Sequence, residues 1–112
     1  MTAVSSLPPL SDARHALRQH VLVHSLKTGN FTLKSGRTSS WFLDTKQTAC
    51  RSDGILLVAD VALALLPADV TAIGGLTMGA DPVAFGIAAI AASRGRTLRS
   101  FSLRKESKDH GV

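Results

Sequence analysis

The chain has 112 residues, which is the size of one domain or of a part of one. Hydrophobic residues make up 45% and charged residues 19% of it, and this composition excludes an intrinsically disordered chain. The net charge of +5 is typical of proteins that bind small phosphorylated ligands, membranes or nucleic acids, and also of basic proteins with no such partner; with only 4% aromatic residues, a nucleic-acid binder is disfavoured.

The N-terminal part of the chain is predicted to contain a helix from about Asp12 to Leu26. Ser11 is a suitable N-terminal cap, and apolar residues recur behind it at helical spacing. The preceding residues 1–10 contain two prolines and no periodicity, so we expect a loose lead-in there. Gly29 is expected to end the helical unit as a left-handed residue.

Two short strands are predicted next, at Phe31–Leu33 and Trp41–Asp44, because apolar and polar residues alternate in both. The loop between them, Lys34–Ser40, contains two cations, a glycine and several hydroxyl side chains. Such a loop can bind an anion through close backbone approach and charge-assisted hydrogen bonds. Taken alone, however, the segment is interpreted more simply as a solvated hairpin loop.

A second helix is predicted from roughly Asp53 to Leu66, with a serine before it and a proline after it. The β-branched run Val70–Ile73 then predicts a strand that is buried on both faces, as in a parallel sheet. The next helix is predicted to begin with Asp81 as its cap and Pro82 at its first position.

That third helix is predicted to continue to about Arg94, where Gly95 ends it, and Thr97–Leu103 is predicted to be another strand. The alternation of helix and strand predicts an α/β fold with right-handed crossovers. We therefore expect a single incomplete domain. Residues 1–50 would form an N-terminal hood of a helix and short strands, and residues 51–112 the first half of a parallel-sheet core that is truncated.

Two further segments lie where the strands of a parallel sheet end. Gly74–Pro82 joins a strand to a helix N-terminus, where backbone N–H groups and the helix dipole favour phosphate, although a structural tight turn is an equally good interpretation. Arg104–Gly111 follows the last strand and carries four side chains that can be cationic. Such a loop can close over a polyphosphate, but its composition alone favours a charged tail.

The sequence predicts no metal site. His20 and His24 are one helical turn apart and could hold a metal, but no glutamate lies near them, so an exposed helix face is favoured. The single cysteine, Cys50, excludes an intrachain disulfide and favours a reducing cytoplasm. Two apolar stretches, Ile55–Pro67 and Val83–Ala92, are too short or too interrupted to span a bilayer, so no membrane partner is expected.

Three segments taken together resemble the orotate phosphoribosyltransferases, which are type I phosphoribosyltransferases. They are Phe31–Ser39, Gly74–Pro82 and Phe101–Gly111, and they match in order and spacing along nearly the whole chain. The resemblance implies a pentosyltransferase of pyrimidine (UMP) biosynthesis. It would transfer ribosyl phosphate from phosphoribosyl pyrophosphate (PRPP) to orotate, with Mg²⁺ as cofactor, giving orotidine 5′-phosphate and pyrophosphate. It also implies a homodimer whose basic loop reaches the neighbouring subunit.

The same resemblance assigns the site residues. Lys34 would reach the PRPP or orotate site from the hood, with PRPP as its assigned ligand, while Trp41 and Phe42 would contact orotate. The other residues assigned to PRPP lie in the turn after the first core strand and in the basic loop: Thr77, Met78, Gly79, Arg104, Lys105, Lys108 and His110. Lys108 and His110 would be the catalytic residues of that loop.

The chain departs from the family pattern in two places. Met78 is uncharged where some members carry a lysine, so only backbone contacts are expected there. The acidic pair and the phosphate-binding loop of the family would follow Gly111, and we therefore expect little or no activity from the 112 residues alone. The alternative is a non-catalytic module that binds a phosphate ligand or a partner chain; a purine-type phosphoribosyltransferase agrees less well with the hood segment.

Overall fold

The computed structural model describes residues 7–106, and its N-terminal unit is a helix followed by a β-hairpin. Helix α1, Leu10–His20, continues as a π-helical turn, Val21–Ser25. The predicted helix is therefore confirmed, but Ser11 is not its cap. Pro9 precedes the helix, and the Ala13 N–H donates to the Pro9 carbonyl at 3.0 Å, so the first turn is already closed around Ser11.

The hairpin consists of strands β1, Leu26–Thr32, and β2, Thr38–Leu43, which pair antiparallel. The predicted strand pair and its polar loop are thus confirmed, although both strands begin earlier than expected. Gly29 does not end a helix, which corrects the prediction. It lies in β1 with a φ of 149°, at an irregularity where the register shifts, and a glycine tolerates this positive φ at little cost.

The second half of the described chain alternates helix and strand, as predicted. Its elements are α2, Lys46–Ala49; α3, Ser52–Leu65; β3, Ala72–Leu76; α4, Asp81–Ser93; and β4, Arg99–Leu103. Strands β3 and β4 pair in parallel. The α/β class and the parallel core are therefore confirmed, while α2 was not predicted. Asp81 is the first residue of α4 and not its cap, and Gly95, with a φ of 83°, follows α4 as expected.

Gly74 and Gly75 lie inside β3 and not in a loop after it, which corrects the predicted end of this strand. A β-carbon on Gly74 would approach the ring of Phe101 in β4 to 2.5 Å, and one on Gly75 would approach the Ala80 side chain to 2.7 Å. Both glycines are therefore explained by close packing around the strand.

The core lies between helices α3 and α4 and the start of β4. Its buried side chains are Ala59, Leu63, Ile87, Ala91 and Leu98. Beside it, the buried Asp60 of α3 pairs with Arg94 at the end of α4, with an N–O distance of 2.6 Å. Helix α4 contacts α3 and also both β3 and β4. Within residues 7–106 no helix is long and apolar enough to cross a membrane.

Candidate functional site

The carboxyl ends of β3 and β4 meet at one edge of the parallel sheet, which is where open α/β sheets bind ligands. The Thr77 N–H donates to the Leu103 carbonyl at 3.0 Å and so ties the turn after β3 to the end of β4. A cavity of about 660 Å³ opens at this edge. Its lining, called here the sheet-edge cavity, consists of Thr77, Met78, Ser102, Arg104, Lys105 and Glu106.

Four residues predicted from the family resemblance thus share one cavity, namely Thr77, Met78, Arg104 and Lys105. Gly79 lies in the same turn but does not line the cavity. The Met78 side chain is 81% exposed and brings no charge, and the peptide bond between Thr77 and Met78 is cis. Two exposed cations and a hydroxyl beside the N-terminus of α4 can bind an anion such as a diphosphate.

The sheet-edge cavity does not provide a site for Mg²⁺ on its own. Mg²⁺ requires near-octahedral oxygen coordination, usually from one or two carboxylates together with substrate phosphates. Among the residues lining the cavity, only Glu106 has a carboxylate, and the cations Arg104 and Lys105 precede it in the chain. The residues that line the sheet-edge cavity therefore do not fit a protein-held Mg²⁺ ion.

A second hollow, of about 420 Å³, lies on the hairpin. Its lining, called here the hairpin hollow, consists of Asn30, Phe31, Thr32, Leu33, Lys34 and Phe42. The structure therefore brings Lys34 and Phe42 together, as a ligand-binding role for both would require. The Phe42 ring packs against Phe31, with 5.1 Å between the ring centroids.

Trp41 is not part of the hairpin hollow, and its side chain is 54% exposed. Consecutive residues of a strand point to opposite faces, so Trp41 and Phe42 face opposite sides of the hairpin. One planar ligand on one face would thus contact only one of the two rings. The hairpin hollow and the sheet-edge cavity share no lining residue. Lys108 and His110 lie outside the described residues.

The structure also reveals a cluster that sequence spacing indicated only for its two histidines: His20, His24 and Asp53, called here the histidine cluster. His20 is not on an exposed face, since its side chain is only 8% exposed, which corrects the prediction for this residue. Its Nε2 atom lies 3.0 Å from Asp53 Oδ1, and its Nδ1 atom lies 3.1 Å from Thr48 Oγ1. Asp53 comes 33 residues after His20, so no local spacing rule could have joined them.

The charges around the histidine cluster are coupled. Arg51 donates to both carboxylate oxygens of Asp53, at 3.0 Å and 3.2 Å. The hydrogen bond from Arg51, followed by that from His20, holds the pKa of Asp53 well below its usual range, so this carboxylate is ionised at neutral pH. Desolvation, together with the nearby charge of Arg51, lowers the pKa of His24 and favours its neutral ring.

Comparisons with known proteins agree with this geometry, although no family model matches the chain. It is 35% identical to orotate phosphoribosyltransferase of Nostoc sp., over 92% of this chain and 50% of that protein. It is 39% identical to orotate phosphoribosyltransferase of Streptomyces avermitilis, over 92% of this chain and 57% of that protein. The chain thus spans about half the length of the curated relatives it matches.

Solved structures give the same result. The crystal structure of Mycobacterium tuberculosis orotate phosphoribosyltransferase superposes with a TM-score of 0.72 at 33% identity, covering 88% of this chain and 55% of that one. The sequence likeness and the structural likeness therefore extend over the same share of the chain. Over most of its length the chain is therefore similar to about half of each of these orotate phosphoribosyltransferases.

Proposed function

We propose that the chain is the part of an orotate phosphoribosyltransferase that supplies the pyrophosphate-binding edge of the sheet and a hairpin over the orotate site. The observation that carries this proposal is the meeting of Thr77, Met78, Arg104 and Lys105 in the sheet-edge cavity. These residues come from two chain segments 25 or more positions apart, yet they surround one space. The whole enzyme would catalyse transfer of ribosyl phosphate from PRPP to orotate.

The reaction places a specific electrostatic demand on this edge. As the bond to ribose C1 breaks, negative charge accumulates on the departing pyrophosphate, and fixed donors or cations around it lower the barrier. Arg104, Lys105 and the Thr77 hydroxyl are suited to this role at the sheet-edge cavity. In the proposal, Lys34 also contacts PRPP, and Trp41 or Phe42 contacts orotate.

The remaining parts of the proposal rest on the family likeness. Lys108 and His110 act from the basic loop that follows Lys105, and this loop covers the site of a neighbouring subunit in a homodimer. Mg²⁺ accompanies the phosphates of PRPP and is not assigned to a protein ligand in the described residues. A cytoplasmic location is supported by the presence of one cysteine, Cys50, in 112 residues.

The direct test compares the 112-residue chain with a chimera in which the C-terminal half of the Streptomyces avermitilis relative follows Val112. Both are assayed for orotate consumption with PRPP and Mg²⁺. We expect turnover by the chimera and little or none by the 112-residue chain. No turnover by a folded chimera contradicts the proposed function, whereas full turnover by the 112-residue chain contradicts the expected need for a C-terminal half like that of the relative.

Substitutions in the chimera test the site itself. Arg104→Ala and Lys105→Ala are each expected to raise the KM for PRPP roughly tenfold or more, because each removes a charge-assisted hydrogen bond. Arg99→Ala is the matched control, since Arg99 lies at the opposite end of β4. Lys108→Ala is expected to lower kcat by orders of magnitude with little change in the KM for orotate. Equal effects of Arg99→Ala, Arg104→Ala and Lys105→Ala on the KM for PRPP would remove the sheet-edge cavity from the proposal.

A non-catalytic partner-binding module is the second candidate, and the exposure of β4 favours it. All five residues of this strand are exposed, with Phe101 at 43% and Leu103 at 52%. An exposed strand with apolar side chains can pair with a strand of another chain. Mixing the 112-residue chain with the C-terminal half of the relative as a separate polypeptide distinguishes the two. A stable complex without turnover supports the module, and a complex with turnover supports the enzyme.

A further inference from the structure

The histidine cluster shares no residue with the sheet-edge cavity or the hairpin hollow, and it contains the ligand types of a transition-metal site. His20 is the last residue of α1, His24 lies in the π-helical turn, and Asp53 lies in the first turn of α3. One nitrogen of each ring and one oxygen of the carboxylate all lie within 4.8 Å of one another. The centroids of the two rings are 4.3 Å apart. Asp53, which lies 29 or more residues after the two histidines, thus comes close to both of their rings.

We propose that His20, His24 and Asp53 bind a divalent transition metal ion such as Zn²⁺. Two imidazoles and one carboxylate suit borderline metals such as Zn²⁺, Co²⁺ and Ni²⁺, whereas Mg²⁺ and Ca²⁺ require mostly oxygen ligands. Zinc–ligand bonds of about 2.1 Å place the ligand atoms roughly 3.4 Å apart, so small side-chain rotations bring the cluster to bonding distance. Three protein ligands leave the fourth tetrahedral position to water.

Two buried hydroxyl groups form a short hydrogen-bonded chain with His20: Thr48 contacts the ring, and Ser25 contacts Thr48. Thr48 Oγ1 lies 3.1 Å from Nδ1 of His20 and 2.6 Å from Oγ of Ser25. Ser25 is fully buried and Thr48 is 3% exposed. A metal-binding histidine usually donates its second ring N–H to a fixed acceptor, which orients the ring. Thr48 is placed to be that acceptor.

The same pair of hydroxyl groups lets the neutral His20 ring carry its hydrogen on either nitrogen, Nε2 or Nδ1. Without a metal, the Asp53 carboxylate can only accept, so Nε2 of a neutral His20 donates to it and Nδ1 accepts from Thr48. With a metal on Nε2, the ring hydrogen moves to Nδ1 and is donated to Thr48, whose own hydroxyl can then donate to Ser25. Because a hydroxyl both donates and accepts, His20 Nδ1, Thr48 Oγ1 and Ser25 Oγ each keep at least one hydrogen bond in either state.

Arg51 opposes metal binding at this site. Its guanidinium bonds to both oxygens of Asp53, and a metal must displace it from at least one of them. A cation beside the site also repels a divalent ion. The proposal therefore makes an unusual prediction: removing the Arg51 charge should tighten metal binding, while removing a ligand should weaken it.

The test is a titration of the full 112-residue chain with Zn²⁺ by calorimetry, followed by Co²⁺ absorption spectroscopy. We expect one equivalent to bind, with Co²⁺ bands typical of nitrogen and oxygen ligands. His24→Gln should weaken binding at least about tenfold, as is usual when a metal shell is disrupted. His15→Gln and His110→Gln are controls for other histidines and should leave the affinity within about twofold. Circular dichroism verifies that each variant is folded.

The variant Arg51→Gln provides an independent test, because this substitution removes neither a metal ligand nor a buried group. We expect a lower Kd for Zn²⁺ in this variant than in the unmodified chain. Absence of saturable binding, or equal affinity in His24→Gln, would overturn the site. An unchanged or higher Kd in Arg51→Gln would overturn the assignment of Asp53 as the third ligand. None of these outcomes depends on phosphoribosyl transfer, so the metal site and the proposed function are tested separately.

Discussion

Individual residues in this fold are constrained mainly by what lies directly beside them. Gly74 lies against Phe101 of the next strand, and Asp60 is a buried acidic residue in the largely apolar helix α3. Neither constraint is visible in local sequence, since Gly74 resembles part of a loop and Asp60 resembles a solvent-facing position. In both cases the partner comes from 27 or more residues further along the chain.

We expect Gly74→Ala to destabilise the protein by about 1–3 kcal/mol, the usual cost of overpacking. The added methyl group would collide with the carbonyl oxygen and the ring of Phe101 and would push β3 away from β4. Gly79→Ala is the matched control, because a β-carbon there meets nothing within 4 Å. Urea denaturation of both variants measures the difference, and equal stability of the two would contradict the packing argument.

The Asp60–Arg94 ion pair leads to a second prediction at this scale. Asp60→Ala should lower the free energy of unfolding by about 3–5 kcal/mol, because it leaves the largely buried Arg94 without its partner. Replacing both residues, with Asp60→Leu and Arg94→Met, should recover most of that loss, since no buried charge remains. Thermal and chemical denaturation of the single and double variants form the test. If the double variant is as unstable as Asp60→Ala, the loss of stability does not come from leaving Arg94 without its partner.

At the scale of elements, connections between helices and strands are held by side chains as well as by backbone. The Arg96 guanidinium, between α4 and β4, donates to the carbonyls of Pro67 and Val70 at 2.7 Å and 3.0 Å. It therefore joins the α4–β4 connection to the α3–β3 connection and fixes where both strands start. The sequence showed Arg96 only as a polar residue after the helix-ending Gly95.

Arg96→Met should therefore destabilise the protein by about 1–3 kcal/mol, since the Pro67 and Val70 carbonyls lose a charged donor. Amide hydrogen exchange at the first residues of β3 and β4 should become faster, whereas exchange within β1 and β2 should not change. Arg99→Met, a change of the same size at an exposed position of β4, is the control. Faster exchange throughout the chain would indicate a general effect and not a local one.

The types and order of the main elements could be predicted from the sequence, because hydrophobic periodicity and glycine or proline positions are local signals. The helices near residues 10–25, 52–65 and 81–93 and the parallel strand pair follow from those signals. The exact bounds of the helices and strands and the position of Gly29 in a strand could not be predicted. Glycine occurs both at helix ends and at strand irregularities, so its presence does not distinguish them. For the site, family likeness predicted the grouping at the sheet edge, whereas the histidine cluster depends on folding that brings residues 20 and 53 together.

At the scale of the whole molecule, the hydrophobic core of the described residues contains few large side chains. Of eight buried hydrophobic residues in the described part, five are alanines, namely Ala13, Ala49, Ala59, Ala84 and Ala91. Large apolar side chains such as Leu65, Leu76 and Phe85 are instead about half exposed. An apolar hollow of about 340 Å³ opens beside β3 and α4. An apolar surface of this kind is usually covered by another part of a protein or by a partner.

We expect the 112-residue chain to bind the dye ANS strongly at neutral pH, because the dye fluoresces on exposed apolar surface. The chimera with the C-terminal half of the relative should bind far less, since that half would cover the hollow beside β3. Fluorescence titration of both proteins at equal concentration measures this. Weak dye binding by the folded short chain would mean that its apolar side chains are already covered, for example by self-association, which light scattering detects.

The exposed position of Trp41 makes the hairpin a natural optical reporter. It is the single tryptophan of the chain, so all indole emission comes from one place on β2. Because Trp41 is 54% exposed, we expect its emission to be red-shifted and to be quenched by acrylamide. Contact of a ring-shaped molecule with that face of the hairpin would shift the emission and shield it, whereas occupation of the opposite face would leave it unchanged. The fold therefore carries its own means of telling which side of the hairpin a ligand uses.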